Sequence, residues 1–176
     1  MSILTTILLI IAAVIALILI IALFSEKTYT IQRDIIINKP KQEVFNYIKL
    51  LKNQVYYSKW VMMDPDLRKQ YTGIDGTPGF IDAWEGNKKA GKGAQEIKRI
   101  VEGERIEVEV RFEKPFEGIA QVPFTTTAIS GTQTKVTWGM SSDMKYPMNI
   151  MRPLVKSMLE KDLEVSLSNL KNVLEK

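Results

Sequence analysis

The chain opens with a run from residue 3 to residue 24 that is apolar except for two threonines, and no charged side chain precedes residue 26. A helix over this run would be about 33 Å long, which matches the hydrocarbon core of a bilayer. The pattern predicts a transmembrane anchor over residues 1–25 and one domain over residues 26–176. A cleaved signal peptide is the main alternative, but the run is too long, has no basic start and lacks a small-x-small cleavage site.

Beyond the anchor, the pattern indicates strands and short helices. A β-branched and aromatic run from Lys27 to Ile37 predicts the first strand. Two short helices follow, one with apolar residues at helical spacing from Val44 to Leu51 and one over Val55 to Trp60. Strand and turn signals then continue to Ser141 and predict six further strands.

The clearest strand runs from Arg105 to Glu113. Its residues alternate between charged and apolar side chains, so that Val108, Val110 and Phe112 share a buried face. The chain ends in a predicted long helix whose apolar stripe begins at Met151. This order predicts an α+β fold, in which a curved, seven-stranded antiparallel sheet closes around the C-terminal helix.

Local motifs in the same order resemble the START-like SRPBCC superfamily, which has the helix-grip fold. The branch it resembles most is that of polyketide cyclase/dehydrase and lipid-transport proteins, which includes membrane-anchored members. The motifs are Asn38-x-Pro40, Val44-Phe45, Ser58-x-Trp60, Asp64-Pro65, Trp84-Glu85-Gly86-Asn87, Gly91-x-Gly93, Pro115-Phe116, Thr134-Lys135-Val136-Thr137-Trp138 and Pro147-x-Asn149-x-Met151. The resemblance implies a START-like ligand-binding domain with an apolar cavity between sheet and helix, but no single function.

The sequence departs from the family pattern at a few positions near the implied cavity. Gln54 and Tyr57 stand where tryptophans are usual, and Gln95 stands where an apolar residue is common. Methionine suits a surface that accepts varied apolar shapes, although the same side chains also serve ordinary core packing. The candidate ligand-binding residues are Tyr57, Trp60, Asp82, Trp84, Gln95, Val108, Val110, Phe112, Trp138, Met140, Met148, Met151, Leu154 and Met158.

The amino-acid composition limits the catalytic and metal-binding chemistry that the protein can perform. The chain has no histidine and no cysteine, which removes His-based catalysis, thiol nucleophiles and most zinc, copper and haem sites. No cofactor and no metal are expected. Asp82 shares a strand face with Phe80 and Trp84 and has no evident partner, so we expect a polar contact rather than a catalytic group. Asp82 deep in the cavity and within about 3 Å of a second ionisable side chain would favour an enzyme.

The charges predict the orientation. Basic residues follow the apolar run and none precedes it, so the positive-inside rule places the domain in the cytoplasm. The net charge of +4 is spread among mixed Glu and Lys positions, which argues against nucleic acid as a partner.

Three functional hypotheses remain. The first is a membrane-anchored protein that binds a lipid-like or polycyclic apolar molecule. The second is a cyclase- or aromatase-type enzyme that uses Asp82 with Gln95 or Tyr57. The third is a membrane-attached interaction or stress-response module whose cavity is filled by its own side chains.

Overall fold

The computed structural model describes residues 2–176 and begins with one long helix. This helix, α1, extends over Ile3–Phe24, and only three residues separate it from strand β1. The following elements are β1 (Thr28–Ile37), α2 (Lys41–Ile48), a 3₁₀-helix (Leu51–Tyr56), α3 (Lys59–Met62), β2 (Arg68–Thr72), β3 (Ile81–Glu85), β4 (Lys92–Val101), β5 (Arg105–Lys114), β6 (Gly118–Ser130), β7 (Gln133–Asp143), a second 3₁₀-helix (Met148–Met151) and α4 (Arg152–Leu174).

The seven strands form one antiparallel sheet in the order β1-β7-β6-β5-β4-β3-β2. The last strand therefore pairs with the first, from Thr28 opposite Asp143 to Ile37 opposite Thr134. Helix α4 packs along β1, where Arg33 forms ion pairs with Glu160 and Glu164. The predicted helix-grip fold, a seven-stranded sheet around a long C-terminal helix, is confirmed.

One core lies between the concave face of the sheet and α4. Strand β5 alternates as predicted, with Ile106, Val108 and Val110 buried. Leu163 and Leu167 of α4 close the core from the other side.

The second short helix, predicted over Val55 to Trp60, was placed incorrectly. The chain instead ends a 3₁₀-helix at Tyr56 and begins α3 at Lys59. The break between them follows from burial, since the backbone leaves helical geometry at Tyr57 and Ser58, and the Tyr57 side chain is fully buried.

Several connections meet at one end of the sheet. Antiparallel pairing places the start of β1 beside the end of β7, and the end of β5 beside the starts of β4 and β6. We call this the anchor end of the domain, and it comprises residues 25–27, 86–91, 115–117 and 144–151.

Helix α1 is fixed to the domain at this end. The Nδ2 group of Asn149 donates hydrogen bonds to the carbonyl oxygens of Ala22 and Ser25, at 2.7 and 3.0 Å, and Arg152 pairs with Glu26. The last carbonyls of a helix lack partners within the helix, so Asn149 caps α1. Ala22 is buried against the domain, and most other α1 side chains are exposed. The helix is long and apolar enough to cross a membrane, a property that signal sequences share.

Candidate functional site

A cavity of about 260 Å³ lies between the sheet and α4, in the half of the core nearest the anchor end. All three tryptophans of the chain, Trp60, Trp84 and Trp138, line it. Tyr29 and Phe112 add two further rings, and most of the remaining lining residues are aliphatic or methionine. Toward the other end of the sheet the core contains fully buried side chains, among them Ile37, Ile106 and Val136.

Aromatic packing closes the inner end of the cavity. The ring centroid of Trp138 lies 4.5 Å from that of Phe124 and 5.9 Å from that of Tyr57. Tyr57 is fully buried, and its hydroxyl has no hydrogen-bond partner among the described residues. Burial raises the pKa of Tyr57 well above its ordinary value of 10.0. The phenol therefore stays neutral, and its ring packs edge-on against Trp138.

The Trp84 side of the wall is built around a glycine. Gly93 lies directly opposite Trp84 in the sheet, and a Cβ there would lie 2.7 Å from the indole and 2.4 Å from the carbonyl oxygen of Arg111. The indole donates a hydrogen bond of 3.1 Å to the carbonyl of Ala90 and meets Phe112 edge-on. The pairing register of β4 also shifts at Gly93, so this glycine marks a bulge. These contacts fix the indole without a ligand.

One buried polar cluster interrupts the apolar wall. The Oδ2 atom of Asp82 accepts hydrogen bonds from Lys69 Nζ at 2.7 Å and from Gln95 Nε2 at 2.9 Å. Gln54 and Gln95 exchange a pair of amide hydrogen bonds. Lys69, Gln54 and Gln95 line the cavity, whereas Asp82 lies behind them and is fully buried. The cluster therefore offers amides and an ammonium group to a ligand, and the carboxylate supports them from behind.

Lys69 is not among the candidate residues named from the sequence, and the expectation that Asp82 has no evident partner is wrong. Lys69 lies opposite Trp84 in the β2–β3 pair, one diagonal step from Asp82. Strand β2 carries no apolar face, since its residues Arg68–Thr72 are all polar or tyrosine. Alternation alone could not show which of its charges points inward.

Half of the candidate ligand-binding residues line the cavity. Three others, Tyr57, Asp82 and Val108, are buried but lie outside its lining. Ligand contact by any of them stays a prediction. The lining candidates are Trp60, Trp84, Gln95, Val110, Phe112, Trp138 and Met140.

The remaining four candidates, Met148, Met151, Leu154 and Met158, do not face the cavity. They are between 40 and 63% exposed. The three on or next to α4 lie on the flank facing α3, where Asp162, one turn beyond Met158, pairs with Lys59. Because α3 is only four residues long, it does not reach the first turns of α4. Leu159 lines the cavity in their place.

The cavity opens at the anchor end. Its exposed lining residues are Lys89, Lys114 and Pro115, which lie in or beside the β3–β4 and β5–β6 loops. The charged residues of the lining are Lys69, which pairs with Asp82 inside, and Lys89 and Lys114, which lie at the mouth.

No family model matches the chain, and no curated protein matches it. Solved structures do match. Truncated norcoclaurine synthase from Thalictrum flavum aligns with a TM-score of 0.65 at 11% identity, covering 86% of this chain and 97% of that one. Ara h 8.0201 aligns with a TM-score of 0.60 at 11% identity over 84% of this chain and 97% of that one. The protein TTHA0849 from Thermus thermophilus gives 0.61 at 15% identity, over 82% and 95%. At these identities the likeness shows the fold alone, which is the helix-grip fold.

Proposed function

We propose that the protein binds a lipid-like or polycyclic apolar molecule in its cavity, while α1 holds the domain at a membrane. The cavity itself carries this proposal, since about 260 Å³ of space remains unfilled behind an aromatic and aliphatic wall. A water molecule takes about 30 Å³, and protein interiors are otherwise close-packed. The unfilled space argues against the third hypothesis, in which the domain fills its own cavity.

The polar groups of the wall narrow the kind of ligand. Ligand sites usually combine an apolar lining with a few polar groups that fix orientation. Here Gln54, Gln95 and Lys69 lie together inside, and Lys89 and Lys114 lie at the mouth. These groups favour an apolar body that carries at least one hydrogen-bond acceptor or a negative charge.

Intrinsic fluorescence offers a direct test, because every tryptophan lines the cavity. A dibrominated fatty acid, added to the full chain in lipid nanodiscs, should quench tryptophan emission until the site is saturated. Val110→Phe extends a ring into the cavity and should weaken binding by about tenfold or more.

The matched control is Val165→Phe, since Val165 is 43% exposed on α4 and does not line the cavity. It should bind like the parent. Equal quenching of the parent and Val110→Phe would place the quencher in the bilayer and contradict binding in the cavity.

A second candidate function is an enzyme of cyclase or aromatase type. It is favoured by the 2.7 Å contact between Lys69 and the buried Asp82, which meets the distance named for an acid–base pair. The norcoclaurine synthase neighbour is an enzyme by name. We rank this candidate second because the carboxylate does not line the cavity and each charge already neutralises the other.

Native mass spectrometry of the full chain released from detergent can separate the two candidates. A binding protein should carry the same co-purified molecule in the parent and in Lys69→Met. An enzyme should carry product in the parent and unconverted substrate in the variant. Lys69→Arg keeps the charge, and comparison of its melting temperature with that of Lys69→Met identifies any loss that is due to unfolding.

A further inference from the structure

Large apolar side chains are exposed around the anchor end of the domain. They come from two separate parts of the chain, the β5–β6 loop and the segment that starts α4. Such a cluster on a surface usually marks a contact with a partner or a membrane. We call these residues the apolar rim, and they are Phe116, Met148, Met151, Leu154 and Met158, with exposures of 40 to 72%.

Helix α1 sets the depth of the rim relative to a bilayer. The hydroxyl of Tyr146 lies 3.5 Å from the carbonyl oxygen of Leu19, and Asn149 reaches Ala22. Leu19 precedes the helix end at Phe24 by about 7 Å along the axis. The segment from Tyr146 to Asn149 therefore lies beside the last turns of α1, at the level of the interface of any bilayer that α1 spans.

The rim borders the mouth of the cavity on two sides. Pro115, which lines the mouth, immediately precedes Phe116 of the rim, and Leu159, which lines the cavity, follows Met158. An apolar ligand that leaves the cavity therefore meets the rim first.

Charge around the mouth suits the same neighbour. Lys89 and Lys114 line the mouth, and Lys88 and Lys145 lie in the adjoining connections, where they outnumber the acidic Glu26 and Glu117. Basic residues next to a membrane are attracted to anionic lipids, which are enriched in cytoplasmic leaflets. This agrees with the predicted orientation of the domain.

We propose that the apolar rim lies in the interface of the bilayer that α1 spans, and that the ligand passes between bilayer and cavity through the mouth at the anchor end. The proposal rests on the proposed function and deepens it, because it makes the ligand a molecule dissolved in the membrane. The polar group of the ligand would be the last part to leave the cavity, and it would then lie near the lysines of the mouth.

Site-specific labelling tests the contact, and the absence of native cysteine makes it clean. Leu154→Cys in the full chain, labelled with an NBD fluorophore in anionic nanodiscs, should emit at shorter wavelength and be quenched by doxyl-labelled lipids. Thr132→Cys, in the exposed β6–β7 turn at the opposite end of the sheet, is the control, and its label should emit at the wavelength typical of water. Water-like emission from both positions would overturn the contact.

Loading kinetics test the passage. Leu154→Glu should slow quenching by dibrominated fatty acid delivered in vesicles several-fold, without changing the final extent. Val165→Glu introduces the same charge at another exposed position of the same helix and should load like the parent. An unchanged loading rate in Leu154→Glu would overturn the proposal that the ligand passes between bilayer and cavity at the rim.

These experiments distinguish a failure of ligand binding in the cavity from a failure of the contact between rim and bilayer. If the cavity binds nothing, quenching will not distinguish the parent from Val110→Phe, whatever the Leu154 label reports. If only the rim is wrong, cavity quenching persists while the Leu154 label reports water.

Discussion

Asp82 places a buried carboxylate behind the cavity wall, and Lys69 compensates its charge. The Asp82 side chain is fully buried and that of Lys69 is 10% exposed. Removing one partner of such a buried pair strongly destabilises a protein, because the other charge is left buried alone. The sequence placed Asp82 on the strand face of Phe80 and Trp84 but could not identify its partner, since the pairing depends on the register between β2 and β3.

Asp82→Asn should therefore destabilise the protein by about 3 kcal/mol. For a chain of this size, that change corresponds to a melting temperature lower by about 6–12 °C. Thermal unfolding of the full chain in detergent would measure it. The double variant Lys69→Met with Asp82→Leu should recover most of the loss, and an unchanged melting temperature for Asp82→Asn would contradict a buried ion pair.

A second residue-scale prediction concerns pH and the outer face of the sheet. Arg111 Nη1 lies 2.8 Å from a carboxylate oxygen of both Glu96 and Glu109. The Arg111 hydrogen bonds, with smaller help from Lys98 and Gln121, hold the pKa of each carboxyl below its ordinary value of 4.5. Because the folded pKa is lower than the unfolded one, the stabilisation is present above about pH 4.5 and is lost as the pH falls through the folded values.

The melting temperature should accordingly fall as the pH is lowered below about 4.5, and Arg111→Met should make that fall shallower. Arg99→Met removes the same charge from an exposed position on β4 and serves as the control. Identical pH profiles for the parent and Arg111→Met would show that the cluster does not contribute.

At the scale of elements, alternation and helical spacing predicted those features that depend only on residues close together in the sequence. Strand β5 and the buried stripe of α4 could be predicted because neighbouring residues determine each of them. The surroundings of Met151, Leu154 and Met158 could not. Helical spacing shows which residues share a face, but α3 determines which part of that face is covered, and α3 lies about 90 residues earlier. The space left between Trp84 and Trp138 likewise depends on packing between distant strands.

The β3–β4 pair gives a prediction at this scale. Gly93→Ala should destabilise the protein by about 1–3 kcal/mol and change tryptophan emission, because the new methyl group displaces the Trp84 indole. Gly118→Ala is a matched control, since Gly118 also lies in a strand and a Cβ there would meet no atom within 4 Å. Thermal unfolding and fluorescence of both variants would check this, and equal behaviour would mean that the Trp84 wall is not tightly packed.

At the scale of the whole molecule, the apolar helix and the basic residues after it predict a single-pass protein with a cytoplasmic domain. Protease added to spheroplasts of an expressing bacterium should leave residues 26–176 intact and digest them only after lysis. Digestion of the domain outside an intact inner membrane would reverse the orientation. A mature N-terminus near Ser25 would show instead that α1 is a cleaved signal sequence.

The short junction between α1 and β1 limits how far such a protein can carry a ligand. Only Ser25, Glu26 and Lys27 separate the two elements, and Asn149 and Arg152 hold the junction in place. Even if those contacts broke, three flexible residues would reach only about 10 Å. An anchored domain with so short a tether cannot ferry cargo across the water between two membranes. It can only exchange molecules within its own leaflet or hand them to a partner that comes to it.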